Sequence, residues 1–156
     1  MIIDHLLQVM TSQTITTGSP GNESVGSIDL GDEAHAAGQF RDIFAGKRIT
    51  AWVRIEVVPT AASTAFYIIT SSAANLLTAQ RAIGYREGVQ AQLAIGDILY
   101  INASFDDDPS APAQRYLGLR VDGLAGQTGT FSGGFMLDPP HTKRHVQPYP
   151  SNFRVL

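Results

Sequence analysis

The feature that most constrains this fold is the alternation of apolar and polar residues with a period of two. It is clearest in two stretches, 115–122 and 130–138, which a glycine-rich turn separates. In the first stretch Leu117, Leu119 and Val121 share one face. Such alternation is typical of half-buried antiparallel strands. We therefore predict two strands here, paired with each other as a β-hairpin.

The same pattern recurs along the rest of the chain. The longest alternating run is 47–58, and Pro59 ends it because proline cannot donate to a β-ladder. Further strands are predicted at 64–71 and 98–105, with shorter candidates at 14–17, 24–30, 76–83 and 89–95. About eight strands and little helix predict an all-β protein, an antiparallel jelly-roll-like β-sandwich. Gly133 and Gly134, inside the last strand, predict a β-bulge or a close approach of two backbones.

Two segments are predicted to depart from the strand pattern. The chain divides into a jelly-roll domain, 1–138, and an extended basic tail, 139–156, which holds four of the eight prolines. The glycine-punctuated segment 31–46 is predicted to be irregular, with a short helix at 36–44 as an alternative. Residues 1–10 fit either a helical stripe or a strand, and the Thr and Ser that follow favour an extended arm or first strand.

Composition excludes several classes of protein. The length of 156 residues is typical of one domain, and the chain has no cysteine for a disulfide or a thiolate metal site. No apolar run approaches the roughly 20 residues of a membrane span. The N-terminal residues lack the basic start and the cleavage site of a signal peptide, so we expect a protein made and used without export.

Charge is distributed unevenly between the domain and the tail. The tail carries Lys143, Arg144 and Arg154 and no acidic residue, whereas the whole chain has a net charge of −3. We expect this basic end to lie on an acidic protein surface. Three fixed positive charges would release too few counterions to support a direct role in nucleic-acid binding.

The histidines do not form a catalytic pattern. Nucleophilic catalysis needs a base beside a Ser or Cys, and none of the four histidines has a recognisable nucleophile context. His141 and His145 have the spacing of a metal pair, but the surrounding prolines argue against a helix, so two solvated histidines are favoured. The aspartates at 106–108 fit a turn better than a calcium site. We therefore predict no enzyme, no metal and no cofactor.

Two regions carry candidate interface residues. Trp52 and Arg54 fall on the polar face of the longest strand, and exposed Trp and Arg are favoured interface anchors. The alternative is that a terminal strand or loop covers Trp52. Aromatic rings in the tail must dock on this domain, on a second copy or on a partner. The predicted interface residues are Trp52, Arg54, Lys143, Arg144, Tyr149, Phe153 and Arg154.

One stretch, 115–138, carries a family resemblance. It reads Arg-Tyr-Leu-Gly-Leu-Arg-Val, then after the turn Gly-Thr-Phe-Ser-Gly-Gly-Phe-Met-Leu-Asp. This stretch resembles the C-terminal part of the capsid cement (decoration) proteins of short-tailed bacteriophages, of the Bordetella-phage type. Met-Ile-Ile-Asp at 1–4 and Ser-Ile-Asp-Leu-Gly at 27–31 are similar to the start of those proteins. The likeness covers about half of the domain, and the long segment 31–46 and the tail 139–156 depart from the family pattern.

The resemblance implies a structural virion protein without enzymatic activity. Proteins of this kind sit on the outer surface of the icosahedral head and clamp neighbouring subunits of the major capsid protein. They typically act as homodimers, and related decorations act as trimers. The implied location is the outer capsid surface, after synthesis in the host cytoplasm and with no membrane contact.

A carbohydrate-binding jelly-roll module is the alternative function. Its stacking surfaces would be four aromatic side chains, Trp52, Tyr67, Tyr85 and Tyr100. Reproducible sugar binding would favour this reading, and binding to capsids would favour the first.

Overall fold

The computed structural model describes residues 7–16, 22–30, 48–104, 114–123 and 126–136. These residues form eight β-strands. They are β1 (Gln8–Thr16), β2 (Ile28–Asp29), β3 (Arg48–Val57), β4 (Ser63–Ser71), β5 (Arg81–Val89), β6 (Ile98–Ser104), β7 (Tyr116–Gly123) and β8 (Thr128–Met136). Within these ranges, no helix has the length and apolar character needed to cross a membrane.

The strands form two four-stranded antiparallel sheets. Sheet A has the order β1-β8-β3-β6, and sheet B has the order β2-β7-β4-β5. Four of the pairs are those of one long hairpin whose turn lies between β4 and β5, namely β1–β8, β2–β7, β3–β6 and β4–β5. Two further pairs, β8–β3 and β7–β4, form when that hairpin rolls up. This is the strand order of a jelly roll, so the predicted all-β jelly-roll-like sandwich is confirmed.

The hydrophobic core lies between the two sheets. Phe66 of sheet B meets Phe131 of sheet A edge to face, with ring centroids 5.4 Å apart and an interplanar angle of 83°. Such a geometry suits the opposite charges of a ring edge and a ring face. Both sheets supply fully buried side chains to this layer, among them Ile15, Ile49, Ile55, Ile68, Ile101, Leu117 and Leu119.

The predicted hairpin across 115–138 is wrong. The strands β7 and β8 lie in different sheets, and each is already flanked on both sides by other strands. The connection between them crosses from one sheet to the other, and a Cβ at Gly133 would lie 2.8 Å from Leu119 Cδ1 across the core. Alternation identifies the buried face of each strand, but it does not identify the strand that pairs with it.

The other strand predictions were mixed. The runs at 47–58, 64–71 and 98–105 are confirmed as β3, β4 and β6, and the extended reading of residues 8–10 is confirmed because β1 begins at Gln8. Candidate 76–83 was wrong, since a loop occupies 72–80 and β5 starts at Arg81. Candidate 89–95 was also wrong, because a 3-10 turn, Gln90–Gln92, follows the end of β5. The segment 31–46 with its candidate helix and the tail 139–156 lie outside the described residues.

Of the two alternatives predicted at Gly133 and Gly134, the close backbone approach is confirmed, and the extra residues of the register shifts lie in β1. The β1–β8 register shifts between Gln8 and Met10 and again between Met10 and Gln13. A Cβ on Gly134 would lie 2.5 Å from the Leu7 carbonyl oxygen, so only glycine lets β1 approach β8 this closely.

Candidate binding groove

One row of side chains crosses the outer face of sheet B. Glu23 forms a bridge with Arg120 of β7, Arg120 pairs with Tyr67 of β4, and Tyr67 pairs with Tyr85 of β5. Side chains alternate between the two faces of a strand, so Tyr67 faces away from the core while its neighbour Phe66 is fully buried. The row therefore sets one carboxylate and one guanidinium beside two phenols.

A groove of about 330 Å³ lies beside the middle of this row, at Tyr67 and Arg120. Its walls come from β4, from the beginning of β5 and from β7, and are formed by Tyr67, Ile69, Gln80, Ala82, Arg120 and Asp122. The depression exists because Ile69 has only Ala82 and Gly118 as its cross-strand neighbours. Its volume is at the lower end of the range for small-molecule sites, about 300–1,000 Å³.

The loop 72–80 closes one end of the groove. Leu76 is completely buried and packs on Gly118, where an added Cβ would lie 2.2 Å from Leu76 Cδ1. Leu76 and Ala79 adopt left-handed backbone conformations, with φ values of 61° and 48°. Such values are uncommon outside glycine and persist where the surroundings impose them. The Ser71 hydroxyl helps to do so by donating to the Thr78 carbonyl at 2.6 Å.

A hydrogen-bond network fixes the polar side of the groove. Arg120 Nη2 donates to Asp122 Oδ2 at 2.8 Å, and Arg120 Nη1 donates to Gln80 Oε1 at 2.9 Å. Gln80 Nε2 donates to Glu23 Oε1 at 2.6 Å. Among the described residues, the buried atoms Arg120 Nε and Glu23 Oε2 have no hydrogen-bond partner. Buried polar atoms are normally paired, so these two are exceptions.

The aromatic side of the groove is partly open. The rings of Tyr67 and Tyr85 have centroids 5.2 Å apart and are tilted by 42°. Tyr85 is 56% exposed, although a large ring is usually more buried. Partial desolvation, followed by the negative charge of Glu87, raises the pKa of Tyr85 above its ordinary value.

The outer face of sheet A differs from the prediction at Trp52. Trp52 is only 3% exposed, so the expectation of an exposed anchor is wrong and the covered alternative holds. Its neighbour on β8 is Gly134, which has no side chain to occupy the same face, and the backbone of Leu7 lies against that glycine. Arg54 is exposed, as expected, and its contact with a partner stays a prediction.

A polar cluster lies next to Arg54 on the same face. Ser132 is the β8 neighbour of Arg54, and its hydroxyl donates to Glu56 Oε1 at 2.6 Å. The backbone N–H of Ser12, a residue with φ of 44°, donates to the Ser132 hydroxyl at 2.9 Å. Hydrogen bonds from Ser132 and then Ser12 hold the pKa of Glu56 below its ordinary value.

The remaining predicted site residues lie outside the described part of the chain. These are Lys143, Arg144, Tyr149, Phe153 and Arg154, together with His141, His145 and the aspartates at 106–108. Among the residues that the structure does describe, no group of three His, Asp or Glu side chains could hold a metal ion. Tyr67 and Tyr85 are brought together, whereas Tyr100 and Trp52 belong to the other sheet.

Four strand ends meet at one end of sheet A. The beginning of β1 lies beside the end of β8, since Gln8 pairs with Gly134. The beginning of β3 lies beside the end of β6, since Arg48 pairs with Ser104, and Thr50 joins the two halves by pairing with Met136. The segments 1–6, 31–47, 105–113 and 137–156 therefore all attach at this end, which we call the arm end.

The sequence pattern did not predict the groove on sheet B. Arg120 and Asp122 are two residues apart on the polar face of a correctly predicted strand, and that spacing was the available signal. Their proximity to Tyr67 depends on the β4–β7 register, and the position of Gln80 depends on the left-handed turn that precedes it. Neither can be derived from alternation alone.

Comparison with known proteins leaves the family of this chain open. No protein-family model matches the sequence, and no curated protein matches it.

Proposed function

We propose that this chain is a capsid cement protein. It binds the outer surface of an icosahedral head and stabilises contacts between major capsid subunits, without catalysing a reaction. The observation that supports this most strongly is the arm end, because both terminal segments and two long connections attach at one end of a jelly roll. One rigid body can in this way direct several segments of chain toward one surface.

The proposed binding mechanism is multivalent. Segments that attach to one sandwich contact neighbouring shell subunits, and after the first contact the others act at a high effective concentration. The bridge gains strength even where each contact is weak, so that it can resist the internal pressure of packaged DNA.

Charge and aromatic burial supply the individual contacts. The segment 139–156 carries a net charge of +3, and its Lys143, Arg144 and Arg154 contact an acidic surface of the major capsid protein. Tyr149 and Phe153 are the proposed apolar anchors, since aromatic residues are favoured at interface cores. Trp52 is not an anchor for the shell, because it is buried within the domain.

The proposed assembly is a homodimer, with a trimer as the alternative. Light scattering coupled to size-exclusion chromatography gives the mass in solution, and a mass of one chain at micromolar concentration would contradict self-association.

The experiment that tests the function is co-sedimentation with purified, expanded phage heads that lack their decoration protein. We expect the full chain to pellet with the heads and the chain ending at residue 138 to bind much more weakly while keeping the same thermal unfolding. A matched control replaces Lys143, Arg144 and Arg154 with Gln at full length. It should lose the salt-dependent part of the binding, because exposed charges are screened by salt. Equal binding by the full and the shortened chains would refute the role of the tail, and no binding by either would refute the function.

A further inference from the structure

We propose that the groove on the outer face of sheet B binds a neutral saccharide, one or two sugar rings in size. This inference goes beyond the capsid role and rests on different residues. A sugar ring combines an apolar face of C–H groups with a rim of hydroxyls. The groove offers a matching pair of surfaces, with the Tyr67 phenol, which is in ring contact with Tyr85, on one side and an ordered set of donors and acceptors on the other.

The aromatic side provides the stacking surface. Tyr85 exposes 56% of its surface next to Tyr67, and Tyr67 lines the groove. The contact with Tyr67 leaves more than half of the Tyr85 side chain open to solvent. Stacking a sugar ring against it removes apolar area from water on both partners.

The polar side provides directional hydrogen bonds. The Asp122 carboxylate accepts from Arg120 through Oδ2, and Gln80 is held by Arg120 and Glu23. Carboxylates and amides can each bind a hydroxyl as acceptors, and adjacent hydroxyls of a sugar can bridge two such groups.

Charge favours a neutral ligand over an anionic one. Among the described residues that line the groove, Arg120 is the single cation, and it is already paired with Asp122. Glu23 adds a second carboxylate to the same network. A phosphate or carboxylate ligand would meet more negative than positive charge here, and like charges at short range repel. A polyhydroxylated neutral ligand avoids that repulsion and uses the charged groups as strong hydrogen-bond partners.

The polar side chains are held in place before any ligand arrives. The loop 72–80 is fixed by buried Leu76 and by the hydrogen bond from Ser71 to Thr78, and this loop positions Gln80. Arg120 is held by two side chains at 2.8 and 2.9 Å. A preorganised site loses less conformational freedom when it binds.

The test is an NMR titration of the full chain with methyl glycosides of glucose, galactose and mannose. We expect at least one of them to shift the amide signals of Tyr67, Ala82 and Asp122 in a saturable way. N-acetylneuraminic acid and glucose 6-phosphate are the anionic probes, and they should bind at least about tenfold more weakly because of the Asp122 carboxylate and the Glu23 carboxylate bonded to Gln80.

Two variants separate the halves of the site, with a control on the opposite sheet. Tyr85→Ala removes an exposed ring and should weaken the affinity about threefold or more, a change in the range that aromatic contacts contribute. Asp122→Asn keeps the shape but removes the charge, and should weaken it at least about tenfold. The control Arg54→Ala, on the outer face of sheet A, should bind like the unmodified chain.

Several outcomes would overturn the proposal. The first is binding of the anionic probes alone, and the second is equal affinity of all three variants for the sugar. The third is a set of signal shifts that do not saturate by 100 mM sugar, which would limit the binding free energy to about 1.4 kcal/mol. Head binding by Tyr85→Ala and Asp122→Asn distinguishes the two proposals. Variants that lose sugar binding but still pellet with heads leave the cement function intact.

Discussion

The packing of the loop 72–80 on sheet B can be tested by a double-mutant cycle at Gly118 and Leu76. In Gly118→Ala the new Cβ would lie 2.2 Å from Leu76 Cδ1 and 3.0 Å from the Ser24 hydroxyl. Overpacking of this kind destabilises by about 1–3 kcal/mol. In Leu76→Ala a completely buried side chain is lost, and such a truncation destabilises by about 2–5 kcal/mol.

The double variant should be far more stable than the sum of these effects predicts. The methyl group introduced by Gly118→Ala would enter the space that the Leu76 side chain vacates, so the clash disappears and part of the cavity is filled. We expect the two changes to interact favourably by at least about 1 kcal/mol, within the range for residues in direct contact. The effect of an added Cβ on the unfolded chain is the same in both backgrounds and cancels in the cycle.

The free energy of unfolding of all four proteins is measured by urea denaturation, with the m-values checked for agreement. The control is Gly96→Ala, where φ is 92° and nothing lies within 4 Å of the added Cβ. That substitution strains the backbone without a clash, and its effect should add to that of Leu76→Ala. Additivity of Gly118→Ala and Leu76→Ala within about 0.5 kcal/mol would refute the proposed contact, and with it the position of Gln80 at the groove.

Two further predictions concern sheet A. Gly134→Ala places a Cβ 2.5 Å from the Leu7 carbonyl oxygen, so it should destabilise the folded protein by about 1–3 kcal/mol. It should also speed amide hydrogen exchange at the start of β1, and unchanged exchange there would contradict the close approach of the two backbones. Ser132→Ala removes the strongest hydrogen bond to Glu56, so the pKa of Glu56 should rise toward its ordinary value in a carboxyl NMR titration. Because the pKa of Glu56 is lowered in the folded state, the ionised carboxylate stabilises the fold above the unfolded-state pKa, and this stabilisation is lost as the pH falls through the folded-state pKa. The difference in stability between the unmodified chain and Ser132→Ala should therefore shrink on acidification. A constant difference from neutral to acidic pH would contradict this linkage.

The sequence predicted the all-β architecture better than it predicted which strands pair with each other. Alternation in 47–58 and 115–122 identified which face of each strand is buried, because the period of two directly records burial on one side. It could not identify partners, and so β7 and β8 were paired with each other although they lie in opposite sheets. In a jelly roll most partners are distant along the chain, and a local pattern carries no information about them.

The site was harder to predict than the fold. The pattern left open whether Trp52 is an exposed anchor or is covered, because it shares a face with the exposed Arg54, and the structure buries it beside Gly134 of β8. Tyr67 and Tyr85 were singled out as aromatic residues of a binding surface in the alternative reading, but their contact depends on the β4–β5 register. Side-chain clusters across three strands are set by register, which the sequence specifies only through packing.

The most direct test of the central claim is a cryo-electron microscopy reconstruction of expanded phage heads incubated with the full chain. A capsid cement protein should give density for a two-sheet sandwich on the outer surface, bridging neighbouring major capsid subunits, with the arm end turned toward the shell. Heads that remain bare at saturating protein would contradict the cement function. Sandwiches bound through the opposite end, with the arm end pointing away from the shell, would contradict the role given to the arm end.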